Sequence, residues 1–238
     1  QREASQVRVL QTSGYMATES KGKLKFILGF VAFFAALWFL WDTPLAYPLK
    51  IFVVLLHEIS HAIASVATGG CIEKITPDPR QGGACYCFGG SAFITLTAGY
   101  LGSLFWGAMM FTAARSDKVR TDWVNGFIGV MVVILTLFFV RGSFGMMFGI
   151  AFGLTMFMAA KKMGPNMNRG LLFTLGLVSV LYAILDIKSD VLDRPGIQSD
   201  AAMLSDLIHI PTTLIGLIWI SVAVGVAGFL LKQAYDDA

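Results

Sequence analysis

The stretch VVLLHEISHAIASVATGG, residues 53–70, begins as an apolar run and then places His57, Glu58 and His61 within about one turn of a helix. A charged side chain at the centre of a bilayer costs about 2.5–3.5 kcal/mol on insertion scales, and such side chains face the protein interior and mark functional sites. The stretch therefore predicts a membrane-embedded helix that carries a chemical site.

The spacing of these three residues suits a metal ion. Residues four apart lie on the same face of a helix, so His57 and His61 can direct two imidazoles at one ion. Glu58 is rotated to the edge of that face, where it can accept a proton from a water on the metal. This is the H-E-x-x-H pattern of zinc proteases, in which zinc lowers the pKa of its water to about 7. The pattern predicts a Zn²⁺ site with His57 and His61 as ligands and Glu58 as the catalytic base.

A catalytic zinc needs a third protein ligand. Asp186, in LYAILDIKSD (181–190), is the leading candidate, because a carboxylate within an apolar helix is costly unless a cation stabilises it. Asp190, Asp200 and His209 remain open as alternatives for this third ligand.

The composition of the whole chain is that of a membrane protein. Of its 238 residues, 56% are hydrophobic and only 14% are charged, and the mean hydropathy is +0.70. Apolar runs long enough for helical spans alternate with short polar joints, at 26–41, 48–68, 88–114, 123–140, 143–160, 170–187 and 210–231. The predicted fold class is all-α: a polytopic membrane protein with about six to seven transmembrane helices and the H-E-x-x-H motif on the second.

The chain is expected to form an integral, multi-pass membrane protein with a polar N-terminal tail (1–25) and a single transmembrane domain (26–238). The tail is a cationic cluster beside the first span, which favours an N-terminus on the inner side. The net charge is only +3. The sequence has no stripe of basic and aromatic residues of the kind that binds nucleic acid. The expected partners are therefore the lipid bilayer and a membrane protein substrate, with no nucleic acid.

Four stretches resemble the site-2 protease-like intramembrane zinc metalloproteases, in their small, domain-free branch. They are LLHEISHAIASVATGG (55–70), TAGYLGSLFWGA (97–108), LYAILDI (181–187) and SDAAMLSDLIHIPTTLIGLIWI (199–220). The resemblance implies zinc ligation by His57, His61 and Asp186, with Glu58 as the general base. Larger members carry an Asn-Pro shortly before the ligand aspartate and a glycine after it, and the sequence around Asp186 has neither.

The resemblance implies a zinc-dependent metalloendopeptidase that hydrolyses peptide bonds in or near transmembrane segments of membrane proteins. The alternative is a non-catalytic, protease-like subunit that acts as a scaffold or assembly factor, with other subunits of a membrane complex as its partners. A third candidate, an ion-binding transporter, is disfavoured because broken helices do not recur at matching positions in two halves of the sequence.

The joint after the second span, CIEKITPDPRQGGACYCFGGSAFITLT (71–97), is rich in glycine and proline and ends in an alternating pattern. It suggests a hairpin or re-entrant loop whose open edge would pair with an extended substrate, and an ordinary turn outside the membrane is the alternative. Its three cysteines are expected to be free or disulfide-bonded rather than metal ligands: Cys71, Cys85 and Cys87. Three glycines of the third span are expected to allow close helix packing: Gly99, Gly102 and Gly107.

Overall fold

The long apolar runs form helices, because backbone in lipid must satisfy its hydrogen bonds internally. The computed structural model describes residues 22–40, 43–80, 82–194 and 196–237. Among these residues, seven helices are long and apolar enough to span a membrane, which confirms an all-α, polytopic, multi-pass membrane protein. They are α1 Gly22–Leu40, α2 Tyr47–Ala67, α3 Ala92–Arg115, α4 Thr121–Phe139, α5 Ser143–Lys162, α6 Pro165–Lys188 and α8 Thr212–Asp236, with a short α7, Asp200–Ile208, before the last.

The helix that carries the H-E-x-x-H motif, α2, is the second span, as predicted, and it is the most buried of the seven described spans. In the most apolar 18-residue stretch of α2, 83% of the residues are buried. The corresponding share is 56% in the sixth span and 33% in α3. Other helices rather than lipid therefore surround most of α2. This position is what allows ionisable side chains on a helix of membrane-spanning length.

A short β-hairpin follows α2, as one of the forms suggested for this joint, and its place relative to the membrane stays a prediction. β1 (Cys71–Ile75) pairs antiparallel with β2 (Cys85–Phe88). Beyond the strands, Thr76 and Ala84 exchange both of their backbone hydrogen bonds, at 2.9 and 3.2 Å. On the other side of β1, the N–H of Arg141 donates to the carbonyl of Ile75 at 2.8 Å, which ties the hairpin to the α4–α5 connection.

The alternating tail of this joint, residues 91–97, belongs to α3 and not to an extended edge. Ser91 caps the helix by accepting a hydrogen bond from the N–H of Ile94, so the chain is helical from Ala92 onwards. A serine cap offers the first free N–H groups a partner, and this local gain outweighs the strand preference of so short a pattern. Cys85 and Cys87 form a disulfide, and Cys71 is free and exposed, both within the expectation for these cysteines.

Small residues bring α3 close to α6, as predicted for Gly107. A Cβ built on Gly107 would lie 2.9 Å from the backbone N of Val180 and 3.0 Å from the carbonyl O of Gly176. Contacts of this kind hold helices together by close van der Waals packing where no water is available to drive their association.

A separate apolar cluster fixes the short helix α7 against the spans. Its buried members come from α3, α6, the π-helical turn Ser189–Asp193, α7 and α8. They are Tyr100, Ile187, Val191, Ala201, Leu204, Ile215 and Trp219. Ala201 and Leu204 are the contribution of α7, and both are almost fully buried. The cluster therefore determines where the first residue of α7 lies, which matters for the site described below.

By its contacts the chain divides into two compact units, Tyr47–Ala227 and the terminal stretches Gln1–Ala46 with Gly228–Ala238. In the terminal unit, the ring of Phe26 lies 6.3 Å from that of Tyr235. The predicted polar tail falls mostly outside the described residues, and the division into a tail and one domain stays a prediction. All of the candidate site residues lie in Tyr47–Ala227.

Candidate metal centre

Two imidazoles converge on one face of α2. His57 and His61 are one helical turn apart, and their ring centroids lie 4.7 Å from each other. Their side chains are only 12% and 8% exposed. The predicted juxtaposition of the two rings is therefore present, in a largely buried setting.

Asp200, the first residue of α7, joins the two histidines. Its Oδ2 lies 2.9 Å from Nε2 of His57 and 3.1 Å from Nε2 of His61. One ligand atom from each of the three residues lies within 4.8 Å of the others, a spacing that can hold a metal ion. The structure thus brings together two nitrogens and one carboxylate oxygen, the donor types of a catalytic zinc site.

The protein favours the ionised form of Asp200. Burial raises the pKa of its carboxyl, but hydrogen bonds to His57 and His61 and the charge of their rings outweigh this effect and hold the pKa well below its ordinary value. Ser199 sets the position of Asp200 by capping α7, where its hydroxyl accepts a hydrogen bond from the N–H of Ala202.

A backbone carbonyl fixes the tautomer of His61. Nδ1 of His61 lies 2.6 Å from the carbonyl O of Thr95 on α3. A carbonyl only accepts hydrogen bonds, so Nδ1 carries a proton, and Nε2 is left as the nitrogen that could bind a metal. This outer hydrogen bond is the one that metal-ligating histidines make in most proteins.

Gly99 of α3 leaves room for an ion beside both histidines. A Cβ built at this position would lie 2.5 Å from Nε2 of His57 and 2.5 Å from Nε2 of His61. Any other residue would therefore place a carbon atom against both nitrogens, where an ion bound by the two would have to lie. The free space and the donor types together show that these residues fit a zinc ion.

Glu58 lies beside the three-residue group but outside it. It is 4% exposed and is covered by the loop of the β-hairpin, where a Cβ on Gly83 would lie 2.6 Å from its Oε1. The backbone of Cys85 is near enough to interact with its carboxylate. Because Thr76 and Ala84 bond to each other, the N–H of the next residue, Cys85, points away from β1. The outer edge of β2 therefore runs directly to Glu58.

Asp186, the predicted third ligand, does not join His57 and His61 in a metal-holding group within the described residues. It lies on α6, near enough to interact electrostatically with His57 and Glu58. The chain folds back after α6 and brings Asp200 to the histidines instead. Asp190 accepts a hydrogen bond from Tyr100 and pairs with Arg194, while His209 ends α7 at an exposed position.

Sequence reasoning misses the parts of the site that depend on tertiary contacts. It predicts only a packing role for Gly99 and does not single out Thr95 or Gly83. It ranks Asp200 behind Asp186 as the third ligand, although Asp200 lies in SDAAML, within one of the stretches that carry the family resemblance. The position of Asp200 as the second residue of that stretch is the one feature of the sequence that points to it as a ligand.

A comparison with models of protein families matches residues 30–230 to the family described as Peptidase M50B-like. The match covers most of the chain and includes both histidines, Glu58 and Asp200. Searches of curated proteins and of solved structures give no match.

Gly99→Ala should abolish metal binding while leaving the fold intact. The added Cβ would meet both Nε2 atoms at 2.5 Å, whereas Gly225→Ala on α8, with no atom within 4 Å, is the matched control. We expect the zinc content of the purified protein, measured by elemental analysis, to fall about tenfold or more in Gly99→Ala only. Unchanged zinc in Gly99→Ala would contradict the position of the ion.

Proposed function

The chain belongs to the Peptidase M50B-like family, and from this membership we propose that it is an intramembrane zinc metalloendopeptidase. Its substrates are membrane proteins, cleaved in or near their transmembrane segments. The observation that carries the proposal is the convergence of Asp200 with His57 and His61 of the most buried span, with Glu58 beside them.

Three side chains would hold the zinc ion: His57, His61 and Asp200. When bound, zinc supplies Lewis acidity, which lowers the pKa of a coordinated water to about 7 and polarises a peptide carbonyl. Thr95 orients His61 through its carbonyl, and Gly99 keeps the space beside both rings open. Asp186, which is near His57, stays the alternative third ligand.

Glu58 has the position of a general base. It is next to both histidines but makes no part of the ligand group, so its carboxylate is free to take the proton of the attacking water. It would then pass that proton to the amine nitrogen that leaves. The nearby backbone of Cys85 and the close approach of Gly83 hold the carboxylate in this place.

The outer edge of β2 offers a means to present an extended substrate. A transmembrane helix must unwind before its peptide bonds can react, and an unwound segment needs partners for its backbone. Adding it as a strand beside Cys85–Phe88 would supply them and would direct the segment towards Glu58. The edge is short because residues from Ala92 onwards are helical.

The choice of the third ligand can be tested with a pair of aspartate variants. Asp200→Ala removes a carboxylate 2.9 Å from His57, whereas Asp186→Ala removes one outside the ligand group. We expect zinc affinity, measured by competition with a chelator, to fall by about 100-fold or more in Asp200→Ala and by less than about tenfold in Asp186→Ala. The opposite order would make Asp186 the ligand.

Glu58→Gln should abolish proteolysis and retain zinc. The amide keeps the shape of the side chain but cannot take a proton, so we expect cleavage to slow by about 100-fold or more. Glu73→Gln in β1, where the side chain is 48% exposed, is the matched control and should remain active. Cleavage is measured by mass spectrometry on a pool of synthetic single-span peptides in lipid nanodiscs.

Two outcomes of this assay would count against the proposal. Equal cleavage by wild type and Glu58→Gln would remove Glu58 from the reaction. A zinc-loaded wild type that cleaves no peptide of the pool would favour the scaffold function, in which the site is retained for assembly.

A further inference from the structure

The two histidines of the site are held in different ways. Nδ1 of His61 donates to the carbonyl of Thr95, but Nδ1 of His57 is buried and has no hydrogen-bond partner among the described residues. A metal-ligating histidine almost always uses its second nitrogen for such a bond, which fixes the orientation of the ring. The His57 ring therefore lacks this second hydrogen bond, and its only one among the described residues is that between Nε2 and Asp200.

The ring of Tyr100 packs against the ring of His57. Its centroid lies 4.7 Å from the centroid of His57, and the two planes are nearly perpendicular, at 82°. This is the favoured geometry for a pair of aromatic rings. Tyr100 is itself only 1% exposed, and its ring centroid also lies 5.3 Å from that of Trp219. His57 thus packs against an aromatic ring that is itself almost fully buried.

The hydroxyl of Tyr100 is anchored at a distance from the site. It donates to Oδ2 of Asp190 at 2.7 Å, and Oδ1 of Asp190 pairs with Arg194. Asp190 lies on the π-helical turn Ser189–Asp193 that follows α6. The anchor therefore belongs to the same chain reversal that brings Asp200 to the histidines.

We propose that Tyr100 is a positioning residue that holds the His57 ring in its metal-binding orientation, and that Asp190 and Arg194 anchor it. The inference rests on the proposed function, since it concerns the zinc ligands. Tyr100 is not one of the three ligands; it acts through His57. Its loss should weaken zinc binding and disturb the geometry of the site without unfolding the protein.

The experiment compares Tyr100→Leu, Tyr100→Met and Tyr100→Phe with Phe111→Leu. Phe111 is the matched control, because it lies on the same helix, is equally buried at 1% and packs on Phe173 away from the site. Each purified protein is loaded with zinc to measure affinity by chelator competition. Each is also loaded with cobalt(II), whose visible spectrum reports the geometry of the ligands, and thermal unfolding of the metal-free form measures stability.

Loss of the Tyr100 ring should change both the zinc affinity and the cobalt(II) spectrum. We expect Tyr100→Leu and Tyr100→Met to bind zinc about 10- to 100-fold more weakly and to change the cobalt spectrum. Tyr100→Phe keeps the ring and loses only the anchor, so most of the affinity and the spectrum should be restored. Phe111→Leu should lose thermal stability but keep both metal readouts.

The inference fails if Tyr100→Leu and Tyr100→Met bind zinc like wild type with an unchanged spectrum. It also fails if Phe111→Leu weakens binding equally, which would make the effect one of general packing, or if Tyr100→Phe is as weak as Tyr100→Leu. A folded wild type that binds neither metal would overturn the proposed function, and this inference with it. Tight zinc binding by the wild type therefore distinguishes a failure of the inference about Tyr100 from a failure of the proposed function.

Discussion

The contact of one carboxylate with two imidazoles, deep in a membrane-spanning bundle, is the interaction on which the rest of the structure depends. Oδ2 of Asp200 lies 2.9 and 3.1 Å from the two Nε2 atoms of His57 and His61. Each of these groups alone would be costly in lipid, at about 2.5–3.5 kcal/mol for a charged side chain on insertion scales. The cost is reduced because α2 is mostly covered by protein and because the groups satisfy each other.

Several features of the fold make that contact possible. The chain must reverse after α6 and continue as α7, and the apolar cluster around Ala201 and Leu204 fixes the reversal. α3 must pass close to the histidines, and only a glycine at position 99 permits this without filling the site. The hairpin must cover Glu58, which the approach of Gly83 allows. The contacts that pack these helices together are thus also the contacts that build the site.

The sequence predicts those features that follow from local pattern. The spans are marked by apolar runs, and the pairing of His57 with His61 is fixed by helical spacing alone. Asp200 could not be predicted in the same way, because it lies 143 residues from His57 and reaches it through a chain reversal that no local pattern describes. The alternating pattern at 91–97 is not extended, because a serine cap starts α3 there. The open space at Gly99 is likewise a property of two helices together.

The most direct test of the account is X-ray absorption at the zinc edge of the purified, detergent-solubilised protein. The account predicts imidazole nitrogens at about 2.0–2.1 Å and carboxylate or water oxygen at about 2.0–2.2 Å from the metal, with no sulfur. Sulfur at about 2.3 Å would place the metal at the free cysteine, Cys71, and not on α2. A folded protein that takes up no zinc at all would contradict the metal centre itself.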